Sequence, residues 1–252
     1  MANRDTSRLQ AGDIAEGIAL LTRLPVRSSG ARGIHAAWSW PLAGALVGLI
    51  SGVIALIAMA IGLPAGLAAA MAIATQIILT GAMHEDGLAD CADGFWGGWD
   101  RARRLEIMKD SAIGTYGTLA LILALLSRWI LLSALFDTGS IVGPLVGAAA
   151  LSRIPMVALM YYLNPARADG LSVSTGRPTA ETLALSIIVA LLIALLFIGF
   201  ITLPGVLVIA CLTWGVSIVA TAKIAGQTGD VLGASQQIAE IGILTTILLL
   251  AG

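Results

Sequence analysis

The chain has 252 residues, of which 58% are hydrophobic and only 12% are charged. Soluble globular domains carry about 25% charged residues, so this composition excludes an ordinary soluble domain and favours a polytopic membrane protein. The net charge of −1 provides no field that would recruit nucleic acid, and Cys91 and Cys211 are too few for a disulfide framework or a zinc site.

The first 35 residues form a polar N-terminal segment that contains one short apolar run. The run 14–26 is too short and too charged to cross a bilayer, because a spanning helix needs about 20 mostly apolar residues. It therefore predicts a helix that lies at the membrane surface or is half inserted. No short apolar segment with a small-residue cleavage site follows the first dozen residues, so we expect no signal peptide.

Seven apolar stretches follow that are long enough to cross a bilayer. Trp38 and Trp40 begin the first and Tyr161 and Tyr162 end the fourth, as expected of aromatic side chains at a membrane interface. We predict an all-α fold: a single membrane-embedded domain over 1–252, with about seven transmembrane helices and an N-terminal interfacial helix. The predicted spans are 36–61, 63–83, 113–136, 140–163, 183–201, 204–222 and 235–251.

Twelve of the fourteen Lys and Arg residues lie in four polar segments that this topology puts on one side of the membrane. Basic residues near span ends mark the cytoplasmic side. We therefore expect the N-terminus and these segments in the cytoplasm, the C-terminus on the opposite side, and the inner membrane as the location. The four segments are 1–35, 84–112, 164–182 and 223–234.

The other two basic residues, Arg128 and Arg153, lie inside the third and fourth predicted spans. A charge at membrane depth costs roughly 2.5 kcal/mol or more and usually faces a partner or a polar cavity. Arg128 can instead extend its charge outward to the interface. Arg153 lies deeper, and we expect it to bind an anionic substrate.

The stretch HEDGLADCADGFWGG (84–98) contains four carboxylates and no Lys or Arg. Asp86, Asp90 and Asp93 are spaced i, i+4, i+7, which on a helix puts them within about 60° of one another. Carboxylates this close repel unless they share a cation, and Mg²⁺ prefers one or two carboxylates with water and phosphate oxygens. The spacing predicts a magnesium site at the membrane surface for a phosphate-bearing substrate. A solvated acidic loop is the alternative.

Two further polar segments lie on the same predicted side as the acidic stretch. In LEIMKDSAIGTYG, Lys109 and Asp110 could contact a phosphate and orient the metal, or form a local ion pair at a helix end. In the glycine-rich segment KIAGQTGDVLGA (223–234), glycines offer backbone N–H groups to an anion beside Lys223 and Asp230. This segment is not a Walker A motif, because it lacks G-K-[ST]. We expect these four residues to converge with the acidic stretch.

These stretches together resemble the cobalamin synthase family of adenosylcobinamide-GDP ribazoletransferases. Five motifs in the same order over nearly the whole chain make the resemblance highly specific. Glu85 stands where the family usually has an apolar residue, and because it is off the Asp face we expect no change in the metal site. Ala112 stands where the family usually has a basic residue, so we expect one weaker phosphate contact. The motifs are LTRLPV (21–26), WPLAGALVG (40–48), TGAMHEDGLADCADGFWGG (80–98), LEIMKDSAIGTYG (105–117) and GQTGDVLGA (226–234).

The resemblance implies the last assembly step of the corrinoid lower ligand. Adenosylcobinamide-GDP and α-ribazole, or its 5′-phosphate, would give GMP and adenosylcobalamin, or its 5′-phosphate, with Mg²⁺ as the cofactor. Asp86, Asp90 and Asp93 occupy the acidic motif as catalytic residues and metal ligands, and Asp230 occupies the second loop as a catalytic residue. Asp93 or Asp230 is the expected general base. The expected substrate-binding residues are His84, Lys109, Asp110, Arg153, Lys223 and Gln227.

Two other protein classes are alternatives. A CDP-alcohol phosphotransferase that makes a phospholipid shares the D-x2-D-G start, which Asp90, Asp93 and Gly94 supply, but Gly97 and Gly98 replace its Ala-Arg and its distal Asp pair is absent. A cation transporter would place ionisable residues near the bilayer midplane. The acids here cluster in predicted cytoplasmic segments, and the ionisable residues that we expect deep in the spans are Arg128, Arg153 and Glu240. We expect the lipid bilayer and small-molecule substrates as partners and no nucleic acid, and a homo-oligomer is left open.

Overall fold

The structure, a computed structural model, describes residues 9–251 and is all-helical over that range, as predicted. Arg4 and Arg8, which contribute to the predicted charge asymmetry, lie outside the described residues. The helices are α1 (Gly12–Leu21), α2 (Trp40–Ala60), α3 (Ala65–Thr80), α4 (Met83–Gly97), α5 (Arg101–Ile107), α6 (Thr115–Asp137), α7 (Val142–Leu151), α8 (Ile154–Tyr162), α9 (Leu171–Thr175), α10 (Ala180–Ile198), α11 (Thr202–Ile224) and α12 (Gly229–Ala251).

Five helical stretches of the described chain are long and apolar enough to cross a membrane, and the bent pair α3–α4 is a sixth if it is one span. A polytopic membrane protein is thus confirmed, but the predicted count of seven is not. The longest stretch has 45 residues and contains α10 and α11, which Gly199 separates with a positive φ of +58°. The five are Gly33–Ala60, Thr115–Asp137, Val142–Tyr162, Ala180–Ile224 and Gly229–Ala251.

The N-terminal segment forms α1, where the apolar run predicted a helix, and a 3₁₀ turn over Gly33–Ser39. Asp13 is fully buried and accepts hydrogen bonds from Arg32 Nε at 2.8 Å and Trp38 Nε1 at 2.7 Å. Burial alone raises the pKa of Asp13, but these bonds outweigh it and lower the pKa below its usual value. Asp13 thereby ties α1 to the 3₁₀ turn that precedes α2.

A sharp corner at Gly81 and Ala82 turns the chain by 88° between α3 and α4. Both residues have left-handed backbone conformations, with φ of +65° and +59°, which cost a non-glycine residue roughly 1–2 kcal/mol. The predicted second span therefore ends early, at Thr80. The acidic stretch is a helix. Its first residues, His84 and Glu85, are only 2% and 7% exposed and lie inside the bundle.

Helices α4 and α12 cross at two glycines. A Cβ at Gly87 would lie 2.7 Å from the carbonyl oxygen of Asp230, and a Cβ at Gly233 would lie 3.2 Å from the Cα of His84. A side chain at either position would push the helices apart, so the glycines permit the close approach. This crossing brings the acidic stretch against the glycine-rich segment 223–234.

Three of the basic segments meet at one end of the bundle. Arg101 donates hydrogen bonds to the carbonyl oxygens of Ile224 at 2.9 Å and Ala166 at 2.7 Å. Arg104 donates to the carbonyl oxygen of Lys223 at 3.0 Å. Helix α5 therefore joins the loop after α8 to the end of α11, in agreement with the common side predicted for these segments.

Candidate active site

Three aspartates form the acidic site, which we define as Asp86, Asp90 and Asp230 where α4 meets the start of α12. Asp90 is half-buried and interacts electrostatically with Asp86, Asp230 and Asp93. Asp86 is exposed and Asp230 is half-buried. The acidic stretch and the glycine-rich segment 223–234, which are far apart in sequence, therefore meet in the fold.

Arg167 is a cation of the acidic site that the sequence analysis did not single out. Its Nη2 lies 3.4 Å from Asp230 Oδ2, and its Nε lies 4.0 Å from Asp169 Oδ1. Asp169 Oδ2 in turn accepts a 2.7 Å bond from Lys109, which lowers the pKa of the exposed Asp169 carboxyl. Alternating charges thus lead from Lys109 to Asp230. The only signal for Arg167 in the sequence was its place in the basic segment 164–182.

Asp93 caps the start of α6. Its Oδ2 accepts a bond from the backbone N–H of Gly114 at 2.7 Å, and its Oδ1 accepts one from Gly117 at 2.9 Å. A Cβ on either glycine would collide with the carboxylate. Each oxygen keeps further lone-pair capacity for a cation, so the predicted metal-ligand role of Asp93 stays a prediction beside this observed capping role.

We expect Asp93→Ala to lower the free energy of unfolding by about 1–2 kcal/mol, because two backbone donors at the start of α6 lose their acceptor. Thermal unfolding in detergent without added divalent metal measures the loss. Asp86→Ala is the matched control, since exposed Asp86 should change stability by about 0.5 kcal/mol or less. Equal stability of both variants would contradict the capping role.

Two of the predicted substrate-binding residues, Lys223 and Asp110, lie at the end of the bundle where the basic segments meet. The Lys223 ammonium lies 5.3 Å from the centroid of the Trp96 ring, within the range of a cation–π interaction. The exposed Asp110 accepts a 3.1 Å bond from the backbone N–H of Ala112. Their predicted roles in substrate binding stay predictions.

Gln227 joins the glycine-rich segment 223–234 to the loop after α8. Its backbone N–H donates to the carbonyl oxygen of Asn164 at 2.9 Å, and its carbonyl oxygen accepts from the N–H of Ala166 at 2.8 Å. Its side chain is only 2% exposed, and its Oε1 has no hydrogen-bond partner among the described residues. The backbone bonds hold the segment that carries Arg167 close to Asp230.

A buried polar network lies on the inner side of the acidic site and centres on Arg128, which is 1% exposed. The Arg128 guanidinium donates to Glu85 at 3.0 Å, to Gln237 at 3.1 Å, to Glu240 at 3.2 Å and to Gln76. The alternative in which Arg128 extends to the interface is therefore wrong, because two carboxylates pair with its charge inside the bundle.

Arg153 and His84 also lie inside the bundle rather than in the acidic site. Arg153 Nη1 lies 3.9 Å from Glu240 Oε2 and donates to Ser152 Oγ at 3.0 Å. Neither ring nitrogen of His84 nor the Nε of Arg153 has a hydrogen-bond partner among the described residues. The predicted contacts of both side chains with substrate stay predictions.

Comparison with known proteins tests the resemblance carried by the motifs. The family model described as cobalamin-5-phosphate synthase matches residues 13–248. The chain belongs to the cobalamin-5-phosphate synthase family. No solved structure matches the chain.

Named relatives of this family match the chain over nearly its whole length. An adenosylcobinamide-GDP ribazoletransferase of Mesorhizobium japonicum is 42% identical, covering 92% of this chain and 91% of the relative. Those of Azorhizobium caulinodans and Bradyrhizobium diazoefficiens are 43% and 42% identical, covering 97% and 95% of this chain and 98% and 94% of the relatives. The resemblance is therefore confirmed.

The acidic site of this cobalamin-5-phosphate synthase family member offers a donor set that fits Mg²⁺. No three His, Cys, Asp or Glu side chains of the described residues form a ready-made metal cluster. Mg²⁺ needs only one or two protein carboxylates, however, because water and substrate phosphates complete its shell. Asp86 and Asp90 would supply carboxylate oxygens, and their mutual repulsion would be relieved by a shared cation.

Proposed function

We propose that the chain catalyses the transfer for which its relatives are named. A hydroxyl of α-ribazole, or of its 5′-phosphate, takes the adenosylcobinamide-phosphate group from adenosylcobinamide-GDP, and GMP leaves. The product is adenosylcobalamin or its 5′-phosphate, the last assembly step of cobalamin biosynthesis. The observation that carries this proposal is the meeting of Asp86, Asp90 and Asp230 at the α4–α12 crossing. Family membership does not favour the phospholipid synthase or the transporter.

The proposed metal is Mg²⁺, with Asp86 and Asp90 as its protein ligands and Asp93 next to them on the same helix. Bound there with the diphosphate of the substrate, it would neutralise charge on the phosphate oxygens. The charge crowding around Asp90 supports this assignment. Side chains of the protein accept the hydroxyl proton and stabilise the leaving group.

Asp230 is the proposed general base. As the ribose oxygen forms its bond to phosphorus and the bond to the GMP oxygen breaks, the hydroxyl proton passes to Asp230. Thr228 Oγ1 lies 3.0 Å from Asp230 Oδ2 and orients the carboxylate. Asp93 is less suited, because both its oxygens already accept backbone hydrogen bonds.

Arg167 is the proposed stabiliser of the negative charge that moves onto the leaving GMP. Its Nη1 is buried and has no hydrogen-bond partner among the described residues, while Nη2 faces Asp230. A guanidinium can bind phosphate through two parallel N–H donors. Arg167 can therefore contact a phosphate beside the carboxylate that accepts the proton.

We place the acidic site and the N-terminus on the cytoplasmic side of the inner membrane and the C-terminus on the opposite side. Basic residues concentrate in segments that meet near the acidic site, and such residues favour the cytoplasmic side. Cysteine labelling with a membrane-impermeant reagent in sealed inverted vesicles tests this. We expect the reagent to label Ser174→Cys in the sealed vesicles, whose cytoplasmic face is outside. We expect it to label Asp137→Cys only after the vesicles are opened.

The first test of the proposed function uses protein purified in nanodiscs with adenosylcobinamide-GDP, α-ribazole 5′-phosphate and Mg²⁺. We expect GMP and the completed cobamide in equal amounts, and no product with EDTA until excess Mg²⁺ is restored. Chromatography measures both products. Folded protein that makes no cobamide would contradict the function, and full activity in EDTA would contradict the metal.

A further inference from the structure

An apolar cavity lies beside the acidic site, between α1, the start of α2, α4, α8, α9 and α12. Its enclosed part is small, about 40 Å³, and its empty space is about 400 Å³ when the open mouth is counted. Three methionines and an indole form much of its wall: Met83, Met156, Met160 and Trp40. Thioether and indole surfaces favour a flat, weakly polar ligand.

The cavity and the acidic site share two helices and one covering loop. Met83 and His84 of α4 line the cavity, three and two residues before Asp86, and Gly229 of α12 lines it immediately before Asp230. The loop that brings Arg167 to Asp230 continues into α9, which covers the cavity. A ring inserted through the open mouth would therefore have its substituents close to the acidic site.

Two buried side chains in the cavity wall have unused polar atoms. Trp40 is 3% exposed and His84 is 2% exposed. The indole N–H of Trp40 and both ring nitrogens of His84 have no hydrogen-bond partner among the described residues. A buried polar group without a partner costs about 1–3 kcal/mol, and a ligand with a matching polar atom would remove that cost.

We propose that this cavity binds the benzimidazole base of α-ribazole and directs the ribose toward the acidic site. The flat apolar ring packs among the methionines, and its free ring nitrogen accepts a hydrogen bond from Trp40 or His84. This inference rests on the proposed function, since it names the place of the acceptor substrate. A lipid chain or part of the corrinoid in the same cavity would be the contrary result.

Helix α9 offers a matched pair of variants. Ser172 is 6% exposed and lines the cavity, whereas Ser174 of the same helix is exposed and donates to the carbonyl oxygen of Leu171. Ser172→Leu should fill part of the cavity, and Ser174→Leu should add the same side chain outside it. Trp40→Phe keeps an aromatic ring but removes the N–H donor.

Isothermal titration of α-ribazole into nanodisc protein, without the corrinoid substrate, measures the proposed contact directly. We expect Ser172→Leu to weaken binding at least about tenfold through loss of space, and Trp40→Phe to weaken it about three- to tenfold through loss of a hydrogen bond. Ser174→Leu should bind like the wild type, within about twofold. Thermal unfolding verifies that each variant is folded.

Steady-state kinetics separates this inference from the proposed function. Ser172→Leu should raise the KM for α-ribazole and leave the KM for adenosylcobinamide-GDP unchanged. The inference would be overturned if Ser172→Leu raised only the KM for the corrinoid substrate. It would also be overturned if folded Ser172→Leu and Trp40→Phe bound α-ribazole like the wild type. In either case, turnover by the wild type would still support the proposed function. Cavity-dependent binding without any turnover would overturn the function and support the inference. No binding by the wild type would overturn the inference.

Discussion

Arg128→Met is expected to lower the free energy of unfolding by about 3–5 kcal/mol, the cost of leaving a buried charge without its partner. Methionine keeps an unbranched apolar side chain but removes the charge that Glu85 and Glu240 face at 3.0 and 3.2 Å. Chemical unfolding in detergent measures the loss. Arg27→Met is the matched control, because Arg27 is exposed and should contribute about 0.5 kcal/mol or less.

Charge balance in the buried network makes this prediction sharper. Arg128 and Arg153 face Glu85 and Glu240, so removal of one opposite pair leaves the other pair balanced. The double variant Glu85→Gln/Arg128→Gln should therefore lose less stability than the sum of the single variants, by about 0.5–3 kcal/mol. Strict additivity would show that the two charges do not depend on each other.

The network also positions the acidic site. Glu85 directly precedes Asp86 on α4, and its bonds to Arg128 and Gln237 connect α4 to α6 and α12. A loss of these bonds changes the orientation of the helix that carries two of the proposed metal ligands. The stability loss in Arg128→Met should therefore come with a loss of turnover.

Local spacing predicted the helix that carries the acidic stretch, because i, i+4, i+7 carboxylates are a helical pattern. The corner before that helix was not predicted. The apolar run continues up to Met83, and nothing in the sequence marks Ala82 for a left-handed conformation, which alanine adopts only under constraint from the fold.

The roles of individual charged residues depend on contacts between distant parts of the chain. Asp93 has the same regular spacing as its two neighbours, and its capping bonds go to residues more than twenty positions later. Arg128 pairs with carboxylates 43 and 112 positions away. Helical periodicity carries no information about such pairs, so the sequence left open whether Arg128 was paired or extended outward.

Asp86→Asn and Asp230→Asn are expected to impair catalysis in different ways. Each amide keeps the shape of the carboxylate but removes its charge and its basicity. Asp86→Asn should raise the Mg²⁺ concentration needed for half-maximal activity at least about tenfold, because a ligand at this site loses its charge. Asp230→Asn should lower kcat by about 10²–10⁴-fold, the usual contribution of a general base, with a nearly unchanged Mg²⁺ requirement.

Initial rates over a range of Mg²⁺ concentrations separate the two roles. Asp137→Asn is the control, because Asp137 is an exposed aspartate at the end of α6 opposite to the one that Asp93 caps. A wild-type Mg²⁺ requirement in Asp86→Asn would remove Asp86 from the metal site. If Asp230→Asn instead requires more Mg²⁺ at an unchanged maximal rate, Asp230 is a metal ligand, and the proton acceptor must be sought among the other groups that face Asp90.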